Sequence, residues 1–414
     1  MSEGNRGAAV AAALVTASGP LPVRGAAATA AVVPDAGIAW DDDGTIVYAG
    51  TAEGLPWPAR VGSPDRGCIA PGFVDCHVHL PFIGWRADEF EARLAGTSYR
   101  ELHGEDGGIF RSSRLLAEAS DDEVVAFCVP LLAEMASTGT TTLELKTGYG
   151  LSVDAELRQA RIARRLAEQA PQTCRVTLLA CHAVPKGWDR ADWVKAACEE
   201  LIPTAAAEDL ADAVDIYVED IAFSLDDLER VAEAAHLAGL PLRVHADQLG
   251  TSGAAETAVR LGARSADHLN HVSDAGVGAL GSADATVAVL LPASTFFLRN
   301  ATPPVAALRA AGAAVAIATD FNPGTSPVCS MPEAIAMACS VYGMGPLEAL
   351  TAATANPAWV LGLGDASGTL EPGKRADFIL LEEAGFADVP YRPGHDPIVA
   401  TFVAGRLVAG RVSH

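Results

Sequence analysis

The sequence predicts an α/β protein: a parallel (β/α)8 TIM-like barrel carrying a small discontinuous β-sandwich domain formed by both termini. Three observations predict this. Eight short apolar runs, at 73–79, 139–146, 175–182, 213–219, 241–247, 264–268, 286–291 and 314–320, alternate with Ala/Leu/Glu-rich helical stretches such as 154–169, 225–238 and 252–261. Strands alternating with helices imply parallel βαβ units, and eight is the number that closes a barrel. Seven of the eight runs end in ionisable residues, and in a barrel those ends gather around one mouth. Short β-type segments flank the whole array, and neither flank is long enough to form a core alone.

The Ala-rich stretch Ala8 to Thr16 has the look of a secretory h-region, but Glu3 precedes it and the turn residues Gly19-Pro20 follow. It reads as a frayed N-terminus leading into a strand rather than a cleaved signal. Residues 37–50 form two strands around the Asp43-Gly44 turn. Residues 376–381, 398–403 and 406–408 are their counterparts at the other end. The expected division is therefore 1–68 with 370–414 for the β domain, and 69–369 for the barrel.

Composition narrows the partners. A formal net charge of −23 argues against nucleic acid and anionic membrane surfaces. The eight scattered cysteines include no Cys-x-x-Cys pair, which suits free thiols in a reducing compartment. No apolar run has the length of a membrane span. The expectation is a cytoplasmic protein with a small-molecule substrate.

The run endings carry the chemistry. Run one ends in His77 and His79, which a strand turns to one face, giving half of a metal site. Run two ends in Glu144 and Lys146, run three in His182, and run four in Glu219. Run five ends in His245 and Asp247, run six in Asp267-His268, and run eight in Asp320. Taken alone, His245 reads as a core histidine and Asp320 as a turn aspartate before Pro323. Beside His77 and His79 they complete three imidazoles and a carboxylate, a ligand set suited to one zinc or iron ion per subunit. His268 reads as an electrophilic or proton-handling partner and His271 as a bystander. His103, His236, His395 and His414 lie in loop, helix or tail contexts. Arg86 is either an anion binder or an ordinary loop salt bridge with Asp88 or Glu89.

Longer stretches add a resemblance. They include Pro71-Gly72-Phe73-Val74-Asp75-Cys76-His77-Val78-His79-Leu80, Arg86 with Glu89-Phe90, Ser98-Tyr99, Gly107-Gly108-Ile109 and Gly139-Thr140-Thr141-Thr142. Lys146-Thr147-Gly148-Tyr149-Gly150-Leu151, Ala180-Cys181-His182-Ala183 and His245-Ala246-Asp247-Gln248-Leu249 continue the series. Ser265-Ala266-Asp267-His268-Leu269 and Ala318-Thr319-Asp320-Phe321-Asn322-Pro323-Gly324 complete it. Over about residues 37 to 410 the chain resembles the amidohydrolase superfamily, closest to the branch that opens an imidazolone ring in histidine degradation. The resemblance implies metal ligands at His77, His79, His245 and Asp320. It implies substrate contacts at Arg86, Tyr149, His182, Gln248, Asn322, Gly324 and Thr325. The implied substrate is 4-imidazolone-5-propionate, a cyclic amide with a carboxylate tail that Arg86 and Tyr149 suit as donors.

Gln248 departs from the family, many members of which have glutamate there; an amide orients but cannot shuttle protons. Thr147 and Thr325 replace serines, and Trp85 and Pro81 are less typical. The expected mechanism makes Asp320 the proton carrier between water and the leaving ring nitrogen. His268, with His182, polarises the carbonyl. The insertion at about 80–137 is expected to supply Arg86 and cover the mouth. The alternatives are a cyclic amidase or deaminase for a related N-heterocycle, and a non-enzymatic scaffold; the full ligand set argues against the last. A homodimer is the expected assembly.

Overall fold

The computed structural model describes residues 5–25, 28, 30–97, 101–102 and 107–410. The first part of the chain gives β1 (Gly7–Ala17), β2 (Ala30–Trp40), β3 (Ile46–Thr51), β4 (Val61–Gly62) and β5 (Cys68–Pro71). The barrel strands are β6 (Phe73–Asp75), β7 (Thr140–Lys146), β8 (Thr173–Cys181), β9 (Ala213–Val218), β10 (Leu242–Ala246), β11 (Ser265–His268), β12 (Val287–Leu290) and β13 (Val315–Ile317). The last part of the chain adds β14 (Phe378–Leu381), β15 (Ile398–Val403) and β16 (Arg406–Gly410).

All eight expected barrel strands are present, each paired in parallel with its sequence neighbours. Closure comes just beyond β6 and β13, where Val78 bridges Phe321 and the His79 N–H donates to the Phe321 carbonyl at 2.9 Å. Every residue of β7, β9, β10 and β11 is buried, because helices cover the outside and side chains fill the inside. That two-sided burial explains why these strands read as continuous apolar runs rather than alternating ones.

The strands of the two termini form a single sheet in the order β16-β15-β14-β5-β1-β2-β3, with β4 also on β1. The sandwich is this one sheet folded over itself. Trp40 on β2 packs against Phe378 on β14 at 5.3 Å and Phe402 on β15 at 6.0 Å, although β1 and β5 lie between β2 and β14. Phe378 and Phe402 stack at 4.4 Å. The expected fraying of the Ala-rich segment is corrected here. Ala8 to Thr16 lies within β1, a central strand laddered to β2 from Gly7–Trp40 to Ala17–Ala30. Alanine is a weak strand former in isolation, but burial between two partner strands outweighs that preference.

The chain passes from sheet to barrel at Gly72, between β5 and β6. A Cβ there would overlap the Thr141 side chain on β7, so the crossing requires glycine.

Candidate active site

The carboxyl ends of the barrel strands bring together His77, His79, His245, His268 and Asp320, all buried. One side-chain nitrogen from each of His77, His79 and His245 lies within 4.8 Å of the other two, and His77, His268 and Asp320 form a second such group. Asp320 Oδ1 is 3.2 Å from His79 Nε2 and 3.6 Å from His77 Nε2. Each of two rings is held from behind by a carboxylate. His77 Nδ1 donates to Asp267 at 2.6 Å, and His245 Nδ1 to Asp215 at 3.1 Å. With Nδ1 engaged, the tautomer leaves Nε2 as a lone-pair donor, and Nε2 of both His77 and His245 is buried without a hydrogen-bond partner among the described residues. Such orphaned nitrogens converging on one point are costly unless something binds them, and a metal ion fits this donor set.

The electrostatics agree. Burial first, then Lys146 nearby, keeps the His77 imidazole neutral, the form that ligates. Burial pushes His268 down to about 3, against the pull of Asp320. Burial pushes the Asp320 carboxyl up, but the hydrogen bond with His79 and the proximity of His268 outweigh it, so it stays ionised below its ordinary range. Asp247, His268, Leu269 and Asp320 all adopt positive φ, between 52° and 77°. Side chains other than glycine rarely do so, and strain concentrated at one mouth marks a functional constraint.

Not every ionisable run ending reaches the mouth cavity, and that expectation is corrected. Glu144 and Lys146 lie in a fully buried ionic layer inside the barrel. Lys146 Nζ contacts Asp215 at 2.5 Å and Glu144 at 3.1 Å, and Arg243 pairs with Glu144. Glu219 accepts from the backbone N–H groups of Gln248 and Leu249 at 2.6 and 2.8 Å. Asp247 caps the helix Ala254–Arg260, accepting from the N–H groups of Ser252, Gly253 and Ala255. These four residues are structural supports because their oxygens or nitrogens are already spent on neighbours.

Arg86, Tyr149, His182, Gln248, Asn322 and Thr325 line one cavity with His79, His245, His268 and Asp320. Arg86 is 4% exposed, and its Nε and Nη1 have no hydrogen-bond partner among the described residues. The salt-bridge alternative is weak: Glu89 approaches Nε only to 3.6 Å, and Asp88 pairs with Arg111 instead. Gly324 lies against this guanidinium, and a Cβ there would overlap it. Tyr149 is positioned from below by the helix Val153–Gln169. Gln159 accepts from its N–H at 2.9 Å, while Glu156 accepts from Gly150 at 2.7 Å and Leu151 at 3.0 Å. The polar atoms of Asn322 shape its own loop, accepting from Gly324 and Thr325 and donating to the Asp320 carbonyl at 2.6 Å.

Two lining residues escape the sequence reading, Ile109 and Tyr217. Asp215, which holds His245, escapes it as well. A signal for two of them was available: Asp215, Tyr217 and Glu219 alternate along run four and so share one strand face. His271 is the expected bystander, its ring bonded to Asn300. Thr147 and Trp85 lie outside the cavity lining, with Trp85 packed on Phe82, Phe127 and Phe321. Ser98, Tyr99, His103 and His414 fall outside the described residues. Among the described residues, no helix is long and apolar enough to cross a membrane.

A barrel with its histidines and aspartate gathered at the carboxyl ends of the strands defines a hydrolase class, and the comparisons agree. The model of the amidohydrolase family matches residues 68–408. An adenosine deaminase from Xanthomonas campestris with bound zinc superposes with a TM-score of 0.72 at 20% identity, over 97% of this chain and 92% of that one. At that identity the likeness shows the fold alone. Among sequences, the imidazolonepropionase of Mesorhizobium japonicum is 43% identical over 372 residues, covering 88% of this chain and 90% of its own. That of Rhizorhabdus wittichii is 43% identical over 367 residues, covering 87% and 92%. The chain belongs to the amidohydrolase family and, within it, to the imidazolonepropionases.

Proposed function

We propose that this chain hydrolyses the cyclic amide C–N bond of 4-imidazolone-5-propionate, giving N-formimidoyl-L-glutamate in histidine degradation. The observation that carries the reading is one cavity with two chemically distinct ends: a metal-ligand cluster and the buried guanidinium of Arg86, whose Nε and Nη1 have no hydrogen-bond partner among the described residues and whose ion pair with Glu89 is a long one, 3.6 Å. A cyclic amide bearing a carboxylate tail matches both ends at once.

His77, His79, His245 and Asp320 would hold one zinc or iron ion. Such an ion, when bound, acts as a Lewis acid that makes water nucleophilic near neutral pH. Asp320, ionised, accepts a proton from the attacking water at Oδ and returns it to the ring nitrogen as the C–N bond breaks. His268 is neutral at working pH, so it assists as a hydrogen-bond donor to the developing oxyanion and not as a cation. His182 lines the same wall, its Nδ1 bonded to the Gly148 carbonyl at 2.9 Å, and orients the ring. Arg86 and Tyr149 grip the propionate carboxylate, while Gly324 and Thr325 form the floor against which that end rests. Gln248 orients the ring by hydrogen bonding. A deaminase would call for a carboxyl group at that position, and the side chain there is an amide. The helix Ala87–Leu94 and the start of the helix Gly108–Glu118, which supplies Ile109, belong to the insertion over the mouth. A homodimeric, cytoplasmic enzyme without nucleic-acid partners, divided at 1–68 with 370–414 and at 69–369, completes the proposal.

The test is the ultraviolet decay of freshly prepared 4-imidazolone-5-propionate, with metal content determined on the same sample. Decay well above the spontaneous rate, abolished by a chelator and restored by metal, is the expected result. A full metal complement with no decay would discard this substrate.

A further inference from the structure

The barrel has a second polar cavity, at the opposite end from the mouth. It has a volume of about 580 Å³ and lies where β8, β9 and β10 begin, with Arg175, Asp212, His236, Arg243 and Arg264 in its wall. In a chain of net charge −23, a cavity walled by three arginines against one carboxylate needs an explanation.

The charges in that wall are unevenly paired, and the unmatched one is Arg264. Asp212 is shared by two guanidiniums, Arg164 at 2.8 Å and Arg175 at 3.2 Å, and also accepts from the Val176 N–H at 2.7 Å. Arg243 pairs with Glu144, and Lys146 lies 3.1 Å from Glu144 and 2.5 Å from Asp215, so these two cations are matched by two carboxylates. Arg243 otherwise spends its donors on the carbonyls of Cys76 and Val360, and its Nε is buried without a hydrogen-bond partner among the described residues. Arg264 has no carboxylate within ion-pair distance among the described residues. It is half-buried, and burial together with repulsion from Arg243 lowers its pKa. His236, on the helix Leu225–Leu237, is the remaining titratable group in the wall and brings no negative charge.

Arg264 is also pre-organised. Its guanidinium lies over the Trp359 ring, 4.7 Å from the centroid, and the indole is pinned by its own N–H donating to the Ala285 carbonyl at 3.1 Å. A cation–π contact of this kind engages the ring without consuming the N–H donors, which suits binding of planar or tetrahedral oxyanions. Such pre-ordering lowers the entropic cost of binding.

We propose that this cavity at the amino ends of the barrel strands is a binding site for a compact oxyanion, phosphate or carboxylate, held chiefly by Arg264 with Arg175 in the same wall. The site is separate from the mouth and from Arg86. It sits at the far end of an ionic chain. Arg243 and His245 are two residues apart on β10, and Glu144, Lys146 and Asp215 link the Arg243 guanidinium to His245 by direct contacts. An occupant of the floor therefore faces the same buried charges that hold a mouth histidine.

Calorimetric titration of the metal-loaded enzyme with inorganic phosphate, and separately with glutamate, tests the proposal and distinguishes the two anion sources. One site per chain is expected for at least one anion, weakened about tenfold or more in Arg264→Gln and also in Arg175→Gln. Arg264→Lys, which keeps the charge but loses the fork, should fall between Arg264→Gln and the parent. Turnover by Arg264→Gln without added anion should match the parent, since the residue lies outside the mouth. Binding that survives in both glutamine variants, binding lost instead in Arg86→Ala, or no saturable binding of either anion would each overturn the assignment. Melting curves without anion check that the variants are folded, and because Arg175 lies on β8 and Arg264 just before β11, one can be read without the other.

Discussion

The molecule has two buried interiors of opposite character. In the folded-over terminal sheet the centre is aromatic, with Trp40, Phe378 and Phe402 packed ring against ring. Inside the barrel the layer next to the histidines is ionic, with Glu144, Lys146, Asp215, Arg243 and Asp267 almost wholly excluded from water. Apolar packing stabilises a fold directly. A buried ion pair returns little beyond its own desolvation, so its presence calls for another reason. Here the reason is visible in the contacts: two of those carboxylates hold the rings of His77 and His245. The aromatic interior serves stability, and the ionic interior holds a site in place.

That contrast can be broken from either side. The largest effect is expected at Asp320→Asn, which keeps the shape of the mouth and removes its proton acceptor. Turnover should fall about 10³- to 10⁴-fold while the circular-dichroism melt stays close to the parent. Activity like that of the parent would sink the proton role. Phe378→Ala should do the reverse, costing about 3–5 kcal/mol in chemical denaturation while kcat/KM of the folded fraction is unchanged. A matching loss of kcat/KM would mean that the terminal sheet also shapes the mouth.

Arg86→Ala removes the anion end of the cavity and should raise KM about 30-fold or more, with a smaller change in kcat. Equal losses in both constants would instead place Arg86 at the reacting centre. The finest test is Asp267→Asn, where the amide can no longer accept the His77 proton as a carboxylate does. Metal affinity, read by competition with a chelator, should weaken about 10- to 100-fold. If Asp267→Asn altered only the melting temperature, the ionic layer would be a stability feature after all.

Much of this was legible from residue order. The barrel strands declared themselves because most are buried on both faces, so their side chains are largely uncharged, as from Val214 to Val218 apart from Asp215. His77 and His79 were legible because a strand repeats every two residues. Asp215 was not, since one acidic residue inside an apolar run carries no label until its partner is known. Its meaning depends on His245, thirty residues away on the neighbouring strand. The roles of Glu144 and Lys146 were misread for the same reason, because run ends look alike in sequence whether they face a cavity or one another. Alanine at positions 8, 9, 11 and 13 gave no sign of a central strand, because its place is set by the ladder to β2 and the close neighbour β5.

The sequence by itself determined the barrel, the composite β domain and the histidines and aspartate that stand at the strand ends, because periodicity and residue chemistry are local properties of the chain. Only the tertiary structure decided which ionised groups face the mouth cavity and which face each other, how Arg86 comes to lie buried against Gly324, and where Ile109 and Tyr217 enter the wall. Those outcomes rest on contacts between residues far apart in sequence, which acquire an energy only when closure of the barrel removes the water between them.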